Sequence, residues 1–156
     1  MAATRGGTTP VTPSPRALAD RLFAEGYAFD FFQAVRLLEA LYPGRQVGGT
    51  EEPVRFRAWQ SLSFPPSAVA GLRPPDSEEV PAVMTVAFLG LTGPSGVLPR
   101  HYTELLLRLQ RDARGPERTA LRDWLDMFND RLIALFYRAW RKYRFWLAYE
   151  RRGHEQ

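Results

Sequence analysis

The stretch LRDWLDMFNDRLIALFYRAWRKY, residues 121–143, decides how the chain is read. It holds no proline and no glycine. Leu121, Trp124, Leu125, Phe128, Leu132, Leu135, Ala139, Trp140 and Tyr143 return every three or four residues, and Leu147 continues the series. That period is one face of an α-helix. Gly115-Pro116 breaks the chain before it, so a long helix is expected from Glu117 to about Glu150. Arg151 and Arg152 suit the negative end of a helix dipole, and Gly153 suits a stop. Asp123 and Asp126 fall on the polar side, where solvated charge is the expectation.

This helix carries more large rings than one face can hold. Phe136, Tyr137, Trp140, Tyr143, Phe145, Trp146 and Tyr149 cannot all face one core on a period of 3.6 residues. Arg138, Arg141, Lys142 and Arg144 lie among them. The helix can be central and covered on several sides by its own domain. Rings and cations together can stack on single-stranded nucleic acid. Rings with arginine also mark protein interfaces. A chain this short buries so many rings with difficulty, which favours an interface; a basic nucleic-acid-binding module is the alternative. Trp140 and Tyr143 continue the core stripe, whereas Tyr137, Trp146 and Tyr149 drift off it. The candidate partner-binding residues are therefore Tyr137, Arg138, Arg141, Trp146 and Tyr149.

Working back along the chain, Pro99 can open a shorter helix carrying Tyr102, Leu105, Leu106 and Leu109. Before it runs GLTGPSG, Gly90 to Gly96. A phosphate loop would need lysine after its last glycine, where Val97 stands. A nucleophile elbow would need glycine at that same position. Turn chemistry remains: proline fixes φ and glycine permits φ > 0. Gly90, Gly93, Pro94 and Gly96 are thus read as a shaped connector. Ala82 to Leu91 is apolar and β-branched, a buried strand. Val54, Phe56 and Ala58 alternate with Arg55, Arg57 and Trp59, a half-buried strand. Between them Phe64-Pro65-Pro66-Ser67 breaks the chain, a short helix can open at Ser67, and Leu72 to Pro81 reads as an exposed loop.

Two helices come first, from about Arg16 to Glu25 and from Asp30 to Pro43. Leu18, Leu22 and Phe23 face inward in the first. In the second, Asp30 is the cap, Gln33 holds the capping-box position, and Ala34, Val35, Leu38 and Leu41 follow at helical spacing. Residues 1–15 read as a disordered tail and 16–153 as one domain. The expected fold class is α+β and mostly helical, with helices packed around a small β-ribbon and a long C-terminal helix.

Composition narrows the function. The chain has 156 residues and no cysteine, which removes disulfides and thiolate metal sites. Its net charge of +4 invites an anionic partner. Lys142 is the only lysine. Arginine suits bidentate and stacked protein contacts, and a GC-rich genome produces the same bias. His101, beside Tyr102 and Glu104, lacks a second zinc ligand at helical spacing, and His154 stands in a tail. No cofactor, metal site or catalytic group is expected. No apolar run reaches the roughly 18 residues of a spanning helix, so any membrane association would be indirect.

Four blocks carry a resemblance. Tyr27 and Phe29-Asp30-Phe31-Phe32-Gln33-Ala34-Val35-Arg36-Leu37-Leu38-Glu39 form the first. Val54-Arg55-Phe56-Arg57 followed by Ser61-Leu62-Ser63-Phe64-Pro65 form the second. Gly90 through Glu104 is the third, and Leu125 to Ile133 with Phe136 to Trp140, Lys142 and Tyr143 is the fourth. In this order they resemble the TssG family of bacterial type VI secretion, also called ImpH or VasB, in its N-terminal half. The resemblance implies a structural, non-enzymatic subunit of the cytoplasmic baseplate, docked at the inner face of the inner membrane. It implies assembly with TssF and the adaptor TssK into wedges around the spike components, which nucleate a contractile tail for effector injection. Specific nucleic acid is not among the implied partners. Family chains continue beyond such a helix, so Gln156 is expected to end a fragment of a longer chain.

Overall fold

The structure, a computed structural model, describes residues 14–45, 52–77 and 80–144. The tail expected over residues 1–15 lies outside them up to residue 13. So do Trp146, Tyr149 and the expected run of the final helix beyond residue 144.

Each N-terminal helix starts at a side-chain cap. Ser14 Oγ accepts from the Ala17 amide at 3.2 Å, and α1 spans Pro15–Ala24. After a 3-10 turn at Gly26–Ala28, Asp30 Oδ1 accepts from the Phe32 and Gln33 amides. Two of the four orphan amides of α2, Phe31–Leu41, are thereby satisfied. Phe31, Ala34, Val35 and Leu38 are its buried face. The expected cap at Asp30 and the expected spacing of α2 thus take these positions, whereas Ser14 and Pro15, expected in the tail, open α1.

Three strands form one sheet: β1 Val54–Ala58, β2 Val69–Arg73 and β3 Ala82–Val86, in the order β1-β3-β2. β1 and β3 are parallel, with Val54 opposite Ala82 and Ala58 opposite Val86. β2 runs antiparallel to β3, with an irregularity between Val69 and Gly71. The sheet corrects the expected ribbon. β2 takes Leu72 and Arg73 from the stretch read as a loop together with Val69 to Gly71, and no helix opens at Ser67. Ser67 Oγ instead donates to the Val69 carbonyl at 2.6 Å. Val69 to Arg73 carries no strong strand pattern of its own, and pairing with β3 supplies its conformation. β3 also ends at Val86, short of Leu91.

Helices α3, Arg100–Asp112, and α4, Glu117–Lys142, close the fold. The core joins Leu22 of α1, the inner face of α2, all three strands, and Ile133, Ala134 and Tyr137 of α4. Phe31 lies among rings: Phe88 at 4.9 Å, Phe56 at 5.8 Å and Tyr137 at 6.3 Å between centroids. The fold is α+β and mostly helical, as the sequence reads.

One face is turned. The residues α4 buries are Leu125, Asp126, Asn129, Ile133, Ala134 and Tyr137. Trp124, Phe128, Leu132, Leu135 and Tyr143, expected in the core stripe, are exposed. The expectation took apolar to mean inward. Here a polar row faces the protein because a sheet edge needs hydrogen-bond acceptors.

Candidate interaction surface

In the strand order, β1 is an edge, and an uncovered edge offers unpaired amides. α4 covers it with side chains. Asp130 Oδ1 accepts from the Phe56 amide at 2.7 Å, and Asp126 Oδ1 accepts from the Ala58 amide at 3.2 Å. These are alternate residues of the strand, so their amides point the same way. Asp126 and Asp130 are four apart, so they share a helix face. Asp126 Oδ1 also accepts from Asn129 Nδ2 at 3.0 Å, and Asn129 Oδ1 accepts from the Leu91 amide at 2.9 Å. Asp126 is therefore a buried fastener, which corrects its reading as solvated charge. Burial raises the Asp126 carboxyl above its ordinary value, against the pull of Asn129, the Ala58 amide and Arg57. Burial likewise raises Asp130, against the Phe56 amide and Arg55.

The fastening continues into the loop from Gly90 to Gly96. The Gly93 amide donates to Thr103 Oγ1 on α3 at 3.0 Å, and Gln60 Nε2 donates to Thr92 Oγ1 at 2.9 Å. The Gly96 amide closes a tight turn on the Gly93 carbonyl at 3.1 Å, around Pro94 and Ser95. Gly93 has φ +97°, and a Cβ there would run into the Trp59 carbonyl. Gly96 keeps an ordinary φ but abuts Thr92, whose Cα would lie 2.7 Å from an added Cβ. Gly90 backs onto Ala58 in the same manner. No charged side chain stands in this loop.

The candidate partner residues of α4 land elsewhere than expected. Tyr137 is 0% exposed, and its hydroxyl donates to Glu39 Oε2 at 2.9 Å. It is core, because the stripe that faces the sheet runs through Ile133, Ala134 and Tyr137. Arg138 makes a bidentate pair with Glu52, at 3.0 and 3.2 Å, and Glu52 is 0% exposed. Arg141 Nη1 donates to Glu39 Oε1 at 2.9 Å. Both arginines thus join α4 to other parts of this chain. Trp140 stacks on Phe32 at 4.2 Å, and the Arg144 guanidinium lies over the Trp140 ring, 4.3 Å from its centroid. Trp146 and Tyr149 lie outside the described residues. His101 is exposed and touches the Tyr102 ring.

The outer face of α4 was missed as a site. Trp124, Phe128, Leu132 and Phe136 form a row of every fourth residue, and each is between 43% and 53% exposed. Met127 and Leu135 lie beside them, also exposed. Phe136 meets Phe88 at 5.6 Å, and Phe88 lines an open groove with Leu62, Pro66, Ala68 and Pro94. Phe64 stands at this groove 93% exposed. The two apolar surfaces are therefore joined. The signal was present in the sequence as the row Asp126, Asn129, Asp130, which turns the opposite face outward.

Among the described residues, no group of three or more acidic, histidine or cysteine side chains is placed to hold a metal ion. No helix among them is long and apolar enough to cross a membrane. The family model described as type VI secretion, TssG, matches residues 25–156. Comparison with curated proteins and with solved structures returns no match.

Proposed function

Because this chain belongs to the TssG family of type VI secretion, we propose that it is a structural subunit of the baseplate wedge, pairing with a TssF-like subunit and meeting a TssK-like adaptor. It works by binding and catalyses no reaction. Its place is the cytoplasm, in a baseplate docked at the inner membrane through other components. The observation that carries this reading is the joined apolar surface of α4, Phe88 and the groove at Phe64. Exposed apolar surface of this extent is what a subunit leaves for a partner to cover. The Gly90–Gly96 loop contributes by shape, since it holds one wall of that groove through Pro94 and Ser95.

The test is co-purification with the TssF and TssK homologues of the same genome at physiological salt. The expected result is a stable complex with the TssF-like subunit. Phosphate-driven nucleic-acid binding falls steeply with salt. No complex, together with tight binding of one DNA or RNA sequence at physiological salt, would overturn the reading.

A further inference from the structure

A second surface lies at the tip where α3 turns into α4. We infer that this tip docks an acidic segment of another protein, one that presents spaced carboxylates to four arginines. The inference goes beyond the baseplate reading and holds whatever covers the apolar face of α4.

A short turn builds the tip. Ala113 to Pro116 join α3 to α4, and the two helices pack on each other, as in a helical hairpin. Gly115 takes φ +63°, and an added Cβ there would meet nothing within 4 Å. Arg108 and Arg111 stand three apart near the end of α3 and share a face. Arg114 sits in the turn, and Arg118 in the first turn of α4. All four are exposed.

Like charges gathered here oppose the fold rather than serve it. Against Asp112 and Glu117 the four arginines leave a net +2 between residues 108 and 118, half of the chain's +4. Elsewhere arginine ties the chain together: Arg57 and Arg122 reach Asp123, Arg138 reaches Glu52, and Arg141 reaches Glu39. Among the described residues, the four arginines of the tip make no ion pair. Arg108 and Arg111 repel each other on their shared face. Arg118 adds a cation at the positive end of the α4 dipole. Carboxylates placed opposite offset both costs, and arginine meets a carboxylate through two parallel bonds.

What the tip lacks selects a protein partner. Between Arg108 and Arg118 no large apolar side chain is exposed. No ring there stands ready to stack on a base, and no wedge to enter a lipid surface. Asp112 and Glu117 are also exposed, and they interrupt the positive field. A continuous row of phosphates would meet both acids. A protein segment can space its carboxylates and set amide donors against them.

A labelled peptide of about 12 residues, long enough when extended to cross the tip, carries glutamate at alternate positions; its twin carries glutamine. Both are titrated with the chain by fluorescence anisotropy at about 50–150 mM salt, beside a DNA duplex and phosphatidylglycerol vesicles. The glutamate peptide is expected to bind at least about ten-fold more tightly than its twin, with a preference that shrinks as salt rises. Arg118→Glu should weaken that binding about five-fold, and R114E/R118E at least about ten-fold. Arg16 is exposed and holds the same second position in α1. Arg16→Glu is therefore the matched control, with the same change in net charge at a helix start and binding unchanged. An acid suits the first turn of a helix, so Arg118→Glu should melt at or above the wild-type midpoint, which separates lost docking from lost folding. Arg114→Gln repeats the test outside both helices and should weaken binding about two-fold. No binding, equal binding of the two peptides, tighter binding of the duplex or the vesicles than of the glutamate peptide, or an equal loss in Arg16→Glu overturns the inference.

Discussion

The inner and outer faces of α4 invert the usual arrangement. Inward, Asp126, Asn129 and Asp130 meet backbone amides; outward, Trp124, Phe128 and Leu132 meet solvent. The same helix also buries Ile133 and Tyr137, so its inner face is polar where it meets a strand edge and apolar where it meets the core. The difference teaches that a helix face is chosen by what it must satisfy. An unmet amide at a buried edge costs about 1–3 kcal/mol, comparable to leaving a large apolar side chain half exposed.

The contrast can be broken most severely at Tyr137. Tyr137→Ala removes a fully buried ring and its bond to Glu39, and should lower unfolding free energy by about 3–5 kcal/mol in urea titration. Leu135→Ala on the outer face should stay within about 0.5 kcal/mol of wild type. Equal losses would show that both faces are core. Gly93→Val comes next, at about 3 kcal/mol, since valine at φ +97° is strained and meets the Trp59 carbonyl. Ser95→Ala, on the exposed tip of the same turn, should change stability by less than about 0.5 kcal/mol.

Asp130→Ala and Asp126→Ala each strip an acceptor from β1 and should cost about 1–3 kcal/mol. Asn at either position keeps an oxygen for the amide and should recover most of that loss.

The pH dependence of the same pair gives a smaller effect. Both carboxyls are raised above the ordinary aspartate value of 3.8 by burial. In the window above 3.8 the folded state therefore holds protons that the unfolded state releases. Their contribution is full below that value and is lost as pH rises through the raised folded values. The double variant D126N/D130N should flatten this slope, seen as a wild-type-minus-variant stability that declines with rising pH. A difference that grows with pH would mean that both carboxylates are stabilised as anions. Smallest of all in stability is Trp124→Ser, expected within about 0.5 kcal/mol, with its effect appearing instead as weaker partner capture.

Much of the fold was legible. The cap at Asp30, the alternation from Val54 to Ala58 and the unbroken helix after Pro116 are local signals, and local chemistry fixes them; the cap at Ser14 was missed, because Ser14 and Pro15 were read as part of the tail. β2 was not legible, because Val69 to Arg73 becomes a strand by pairing with β3, and pairing leaves no periodicity behind. The site was half legible. A surplus of rings on the last helix was visible, but sorting them by face took apolar residues to lie inward. That assumption placed Tyr137 outside and Trp124 inside. The row Asp126, Asn129, Asp130, at spacings of three and four, held the needed phase. It could not be read as inward without knowing that an edge strand lay there.

The closure of β1 by Asp126 and Asp130 also sets an order of events. The bonds to Ala58 and Phe56 span 68 and 74 residues of chain. During synthesis β1 emerges first, pairs with β3 some 30 residues later, and still has a bare outer edge. Only when α4 has left the ribosome and docked are its amides covered. Until then the nascent chain carries an adhesive strand. A chain stopped before Asp126 should therefore aggregate by light scattering where the chain carrying α4 does not. A helix made some 60 residues after β1 is the one that renders that strand safe.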